Sequence, residues 1–211
     1  PGTPDECFQF TFLAAKIALE HSTPVIVLTD GFLGNGTSLW KLPKMADMPV
    51  ITPNFVPSDF VGYNAASRNE KNFARYLSTP GIEGFAYRNG GLEKDYNKGG
   101  ISTDAQNHQK MVDTRAAKVK YVENVIPELE VYGSESAELL VVGWGSTRGH
   151  LMAAVSEMLA ESKSVALAHF NYINPLPKNT AEVLRKYKKV VVCELNSGQF
   201  VSYLRNQIPE V

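Results

Sequence analysis

The chain has 211 residues, 44% of them hydrophobic, which is enough to bury a core in one or two domains. Its formal net charge of -1, with both signs interspersed, gives no electrostatic footprint for nucleic acid or for an anionic membrane, so neither is expected as a partner. Its two cysteines, Cys7 and Cys193, lie far apart without a CxxC spacing, which excludes a four-thiolate iron-sulfur cluster or a structural zinc site built by this chain alone.

Few cysteines, no signal-peptide pattern and no apolar run near roughly 18 residues point to the reducing cytoplasm. The chain starts at Pro1 and not at Met, directly in a helix signal, so a fragment or a processed piece is expected.

Thr3-Pro4-Asp5-Glu6 is that signal. Thr3 is a candidate cap, Pro4 suits the first helical position, and Glu6 sits where a capping box places its acid. Phe8, Phe12, Ala15 and Leu19 mark the buried face. Val25 to Leu28 reads as a buried strand ended by Thr29-Asp30-Gly31, although a helix and one strand alone cannot cover both faces of that strand. Asp30 either faces a ligand or caps the turn that follows.

From Trp40 to about Gly133 the periodicity weakens. Pro43, Pro49, Pro53, Pro57 and Pro80 break any long helix, and glycines gather at Gly81, Gly84, Gly90, Gly91, Gly99 and Gly100. So long a structureless stretch is improbable inside a compact domain, so an ordered connector is expected. Within it, Asp104 to about Val125 is helical, with Met111, Ala116, Val119 and Val122 as apolar positions and Pro127 closing it.

The last third repeats one unit. Leu139 to Val142 is a short apolar strand, and Leu151, Ala154, Val155, Met158 and Leu159 recur at helical spacing. Ser164 to His169 is the next strand, Asn179 to Lys188 a helix, Val190 to Cys193 a third buried strand, and Gly198 to Gln207 a final helix. Strands alternating with helices predict an α/β fold with a parallel sheet and right-handed crossovers.

Three constellations invite chemistry. Gly143-Trp144-Gly145-Ser146-Thr147-Arg148-Gly149 follows a strand, as a phosphate-binding turn would. Arg148, however, stands where a dinucleotide fingerprint has its third glycine, and a Walker lysine is absent. The readings are a structural turn or an anion site. Arg88, Glu93, Lys94 and Asp95 flank Gly90-Gly91 and present both charge signs on a backbone free to approach a ligand, or form a solvated turn. His108 has no second histidine at i+3 or i+4, and Ser146 lacks a nucleophile-elbow context, so neither a metal pair nor a serine nucleophile is indicated.

Several runs together carry a resemblance: Thr29-Asp30-Gly31-Phe32-Leu33-Gly34-Asn35-Gly36 with Trp40, Gly90-Gly91-Leu92-Glu93-Lys94, the Ser102 to His108 run, Gly143-Trp144-Gly145-Ser146-Thr147, Asn174 to Asn179, and Glu194 to Gln199. In this order they resemble the C-terminal part of the alpha subunit of the 2-oxoacid:ferredoxin oxidoreductases, the 2-oxoglutarate type in particular. The resemblance implies thiamine diphosphate-dependent oxidative decarboxylation of a 2-oxoacid, transfer of the acyl unit to coenzyme A, and electrons passed to ferredoxin. It implies residues 1–42 as a helix-strand remnant of the pyrimidine-binding domain, 43–133 as a connector with one long helix, and 134–211 as a three-layer, transketolase C-terminal-like domain.

The cofactor's magnesium and an iron-sulfur cluster would then belong to the beta subunit, with none expected bound to this portion. The family's activating glutamate and carboxylate-reading arginine motif fall outside the chain, so no catalytic or cofactor-binding residue is carried over. Arg88, Glu93, Lys94 and Asp95 remain as candidates for a loop at the substrate end of the site. Two other readings are a free-standing anion- or nucleotide-binding module and a purely structural dimerisation domain.

Overall fold

The computed structural model describes residues 1–88 and 90–210. These fall into two units. The sheet unit comprises Pro1–Thr11, Val27–Lys41 and the chain from Glu123 onward; the loop unit comprises Phe12–Ile26 and Leu42–Val122.

Helix α1 (Glu6–His21) gives its first turns to the sheet unit and the rest to the loop unit. Glu6 serves its N-terminus, accepting the backbone N–H of Gly2 at 2.7 Å. Asp30 caps the short helix α2 (Gly31–Asn35) by accepting from the Leu33 amide at 3.1 Å. Residues Val25 to Leu28 make no ladder among the described residues, and Ile26 is 82% exposed. The expected buried strand is therefore absent here, because no neighbouring strand supplies partners for its amides and carbonyls.

In the sheet unit, β1 (Val131–Gly133), β2 (Leu139–Trp144), β3 (Val165–Phe170) and β4 (Lys189–Val192) stand in the order β1-β3-β2-β4. β2 is parallel to both β3 and β4, as the alternation with helices predicts. β1 adds an antiparallel edge to β3, so the sheet is mixed but dominated by parallel pairs. Lying at the other edge, β4 leaves Val191 47% exposed and is not the buried strand that its run of valines suggests.

Both faces of the central strands are covered. Leu139, Val141, Val165 and Leu167 pack on one side against Leu151, Val155, Met158 and Leu159 of α4 (Arg148–Ala160). On the other, Leu140, Val142, Ala168 and Phe170 meet Val183 and Leu184 of α5 (Thr180–Arg185) and Phe200 and Leu204 of α6 (Gln199–Gln207). Gly143 is required by this packing, since a Cβ there would collide with Leu151 Cδ1 and the Thr147 hydroxyl.

The loop unit has little regular structure besides its part of α1 and α3 (Ala105–Tyr121), which Asp104 caps by accepting from the Asn107 amide at 2.7 Å. The apolar positions expected on α3 are not a core: Ala116 is exposed and, of that set, only Val122, just past the helix, is buried. Elsewhere the unit is held by isolated bridges at Phe55–Leu77, Arg68–Arg75 and Lys94–Ile101, and by a ring cluster in which Tyr63 lies 5.2 Å from Phe85 and 5.8 Å from Tyr87.

Candidate functional site

In the sheet unit, the glycine turn after β2 is tied down by its own neighbours. The Ser146 hydroxyl donates to the Asp30 carboxylate, and the Arg148 guanidinium pairs with Glu6. His169 Nε2 lies 2.9 Å from the Gly145 carbonyl oxygen. The Ser146 hydroxyl, followed by the Leu33 and Phe32 amides, holds the Asp30 carboxyl below its usual range. The Ser146 hydroxyl and the Arg148 guanidinium are thus each already paired with a carboxylate of the chain, which favours the structural reading of this turn. Glu194 plays the same part at α6: burial pushes its pKa up, but the Phe200 and Val201 amides, at 2.9 and 3.1 Å, outweigh that and hold it low.

The loop unit contains a cavity of about 490 Å³. Arg88, Glu93 and Lys94 of the glycine-flanked loop line it; Asp95 does not. The Asp95 carboxylate instead accepts from the amides of Asn97 and Lys98 at 2.9 and 2.7 Å, which closes its own turn and lowers its pKa. Residues 93–102 form a tight antiparallel turn, with the Ser102 amide donating to the Glu93 carbonyl at 3.1 Å. Asn107 of α3 fastens this turn twice, accepting from the Tyr96 amide at 2.8 Å and donating to the Lys94 carbonyl at 3.1 Å.

Glu93 faces α3. Both terminal nitrogens of Arg115 lie 3.3 Å from its carboxylate, and His108 Nδ1 lies 3.1 Å away. His108 is thus brought beside a carboxylate and not beside a second metal ligand. Among the described residues no group of three or more His, Cys, Asp and Glu side chains gathers as a metal site.

The remaining charged lining was missed by sequence reasoning: Arg68, Arg75, Arg115 and Lys118. Arg68 and Arg75 face each other across a bridge, and the segment between them carries Asn69 and Asn72, whose side chains accept from Lys71 and Ala74 amides in the turn. On α3, Met111, Thr114, Arg115 and Lys118 share one helical face, and all four line the cavity. Burial lowers the Lys118 pKa, and the cations of Arg75, Arg68 and Arg115 lower it further. Burial likewise lowers that of Arg68.

These features define an α/β protein with a three-layer sheet unit and, within a loop-built unit, a strongly cationic cavity. Residues 1–113 match the family model described as pyruvate flavodoxin/ferredoxin oxidoreductase, thiamine diphosphate-binding, and the chain belongs to that family. It is 39% identical over 209 residues to the 2-oxoglutarate oxidoreductase subunit KorA of Mycobacterium tuberculosis, matching 98% of this chain and 31% of the relative. It is 27% identical to the alpha subunit of a 2-oxoacid:ferredoxin oxidoreductase of Saccharolobus solfataricus, over 94% of this chain and 32% of the relative.

Among solved structures it resembles the 2-oxoglutarate:ferredoxin oxidoreductase from Magnetococcus marinus with 2-oxoglutarate, coenzyme A and succinyl-CoA bound. The TM-score is 0.84 and the identity 26%, over 95% of this chain and 35% of that one. The chain thus spans about a third of the length of these relatives. Among the described residues, no helix is long and apolar enough to cross a membrane.

Proposed function

We propose that this chain is a portion of the alpha subunit of a 2-oxoglutarate-type 2-oxoacid:ferredoxin oxidoreductase. The reaction takes a 2-oxoacid and coenzyme A to an acyl-CoA and CO2, and passes two electrons to ferredoxin. The observation carrying this reading is the 39% identity to a 2-oxoglutarate oxidoreductase subunit along nearly the whole chain.

Thiamine diphosphate supplies the electron sink for loss of CO2. Among the described residues no three or more His, Cys, Asp or Glu side chains gather as a metal site. The reading assigns both metal groups, the cofactor's magnesium and an iron-sulfur cluster, to a beta subunit in the cytoplasm. This portion then has two roles. Its transketolase C-terminal-like sheet unit supports assembly, and its Gly90 to Asp95 loop, which lines a cationic cavity through Glu93 and Lys94 together with Arg88, faces the oxoacid in the assembled enzyme.

The enzyme purified with its partner subunit should reduce a viologen acceptor in a coenzyme A-dependent way with 2-oxoglutarate, and more slowly with pyruvate or 2-oxoisovalerate. No turnover with any of the three would end the reading. Replacing Arg88 and Lys94 together by Ala should raise the oxoacid KM by about tenfold, since two charge-assisted contacts are lost. An unchanged KM would retire the loop's role while leaving the family activity intact.

A further inference from the structure

One nucleophile of the loop unit, Lys118, has no part in the reaction proposed above. It lines the cavity from α3, and its Nζ donates to the Ser22 carbonyl at 2.6 Å. Arg68, Arg75 and Arg115 line the same cavity, and among the described residues no carboxylate pairs with Lys118, Arg68 or Arg75. Arg68 donates to the Ala66 carbonyl at 2.9 Å and lies over the Tyr96 ring at 4.2 Å, while Arg75 Nε is buried without an acceptor, so neither charge is cancelled. Arg115 pairs with Glu93, the one carboxylate among the described lining residues.

An ammonium at Lys118 is disfavoured by burial first and then by the cations of Arg75, Arg68 and Arg115. The wall therefore yields a neutral, nucleophilic amine more readily than an exposed lysine does. Guanidinium groups cannot give up their protons in the same way, so the wall still lacks an anion after Lys118 has released its own.

Addition of CO2 to the amine supplies that anion in place. The Nζ lone pair forms the new N–C bond, one C=O electron pair of CO2 moves onto oxygen, and one amine proton leaves to solvent; nothing is oxidised or reduced. The carbamate nitrogen keeps one N–H, which is all that its bond to the Ser22 carbonyl requires. Its two oxygens form the planar pair of acceptors that a guanidinium fork matches. The arginines that disfavour the ammonium thus favour the product.

We propose that Lys118 is a carbamylation site, at which Nζ takes up CO2 reversibly and Arg68, Arg75 and Arg115 hold the resulting carbamate. CO2 as the enzyme's own product rests on the functional reading above, whereas the modification itself needs only dissolved CO2. Arg88 and Lys94, assigned to the oxoacid, take no part in it.

The test equilibrates the complete enzyme and its partner subunit with carbon-labelled bicarbonate, records carbon NMR, and then ethylates any carbamate with triethyloxonium for peptide mapping by mass spectrometry. The trapped product is expected on Lys118, with fragment ions separating it from Lys110 and Lys120. A labelled carbamate resonance should be present in the wild type and absent in K118R. R75Q should lower the occupancy at a fixed CO2 pressure by about tenfold, since one charge-assisted contact to the carbamate is lost.

No trapped product, product confined to other lysines, a resonance that survives in K118R, or wild-type occupancy in both R68Q and R75Q would each overturn the proposal. The wild-type peptide map needs no variant, so it decides the matter even where R75Q fails to fold. Because no turnover is measured, an enzyme inactive on 2-oxoacids would end the functional reading without touching this one.

Discussion

The sheet unit and the loop unit satisfy their backbones by different means. In the sheet unit, ladders between parallel strands take up the amides and carbonyls, and apolar side chains from β2 and β3 fill both faces. In the loop unit, short polar side chains stand in for a ladder. Asn54 donates to the carbonyls of Ala74 and Arg75, Asn64 accepts from the Ala66 amide, and Asn107 serves both Tyr96 and Lys94. Ladders leave side chains free only to pack, whereas an asparagine-pinned backbone can present charges inward around a cavity. The first arrangement leaves a packed slab and the second leaves a charged cavity.

This contrast breaks most visibly in the sheet unit's core. Leu140 is fully buried between β3, β4 and the α5–α6 side. Leu140→Ala should cost about 2–5 kcal/mol in denaturant unfolding, from lost transfer energy and the cavity left behind. A smaller effect is expected where no apolar core exists. Asn107→Ala strands the Tyr96 amide and the Lys94 carbonyl, and should cost about 1–3 kcal/mol. Its signature is local: hydrogen exchange at Tyr96 should quicken while that at Leu140 stays slow. Equal quickening at both sites would show that the two units share one cooperative core.

The same contrast explains how much could be read in advance. Periodicity found β2, α4, β3 and α6, because each buries a regular apolar set. It mistook Val190 to Cys193 for a buried strand, since an apolar run reads alike at the middle and at the edge of a sheet. β1 escaped notice because three residues, Val131–Gly133, carry no period.

In the loop unit, Arg88, Glu93 and Lys94 were legible as charges beside a glycine pair. Arg68, Arg75 and Lys118 were not, because a hairpin and a helix distant in sequence converge there. Their signals were present but weak: two arginines flanking an asparagine turn, and Met111, Thr114, Arg115 and Lys118 on one helical face.

The mildest test concerns one proton in each unit. His169 in the sheet unit and His21 in the loop unit are both held below the ordinary pKa of 6.5, in each case chiefly by burial. Each has a buried Nδ1 with no hydrogen-bond partner, so a second ring proton would meet no acceptor. The folded state therefore prefers the neutral ring while the unfolded chain protonates near 6.5, and the unfolded state binds more protons below that pH.

Stability from these rings is complete above about 6.5 and drains away as the pH falls through the lower folded values. Replacing His169 by Gln should flatten the acid slope of the sheet unit, followed by exchange at Leu140, and leave the loop unit's slope, followed at Tyr96, as it was. A slope lost in both units would mean that protonation at His169 reaches the asparagine-pinned backbone as well, and the division drawn between the two would have to be abandoned.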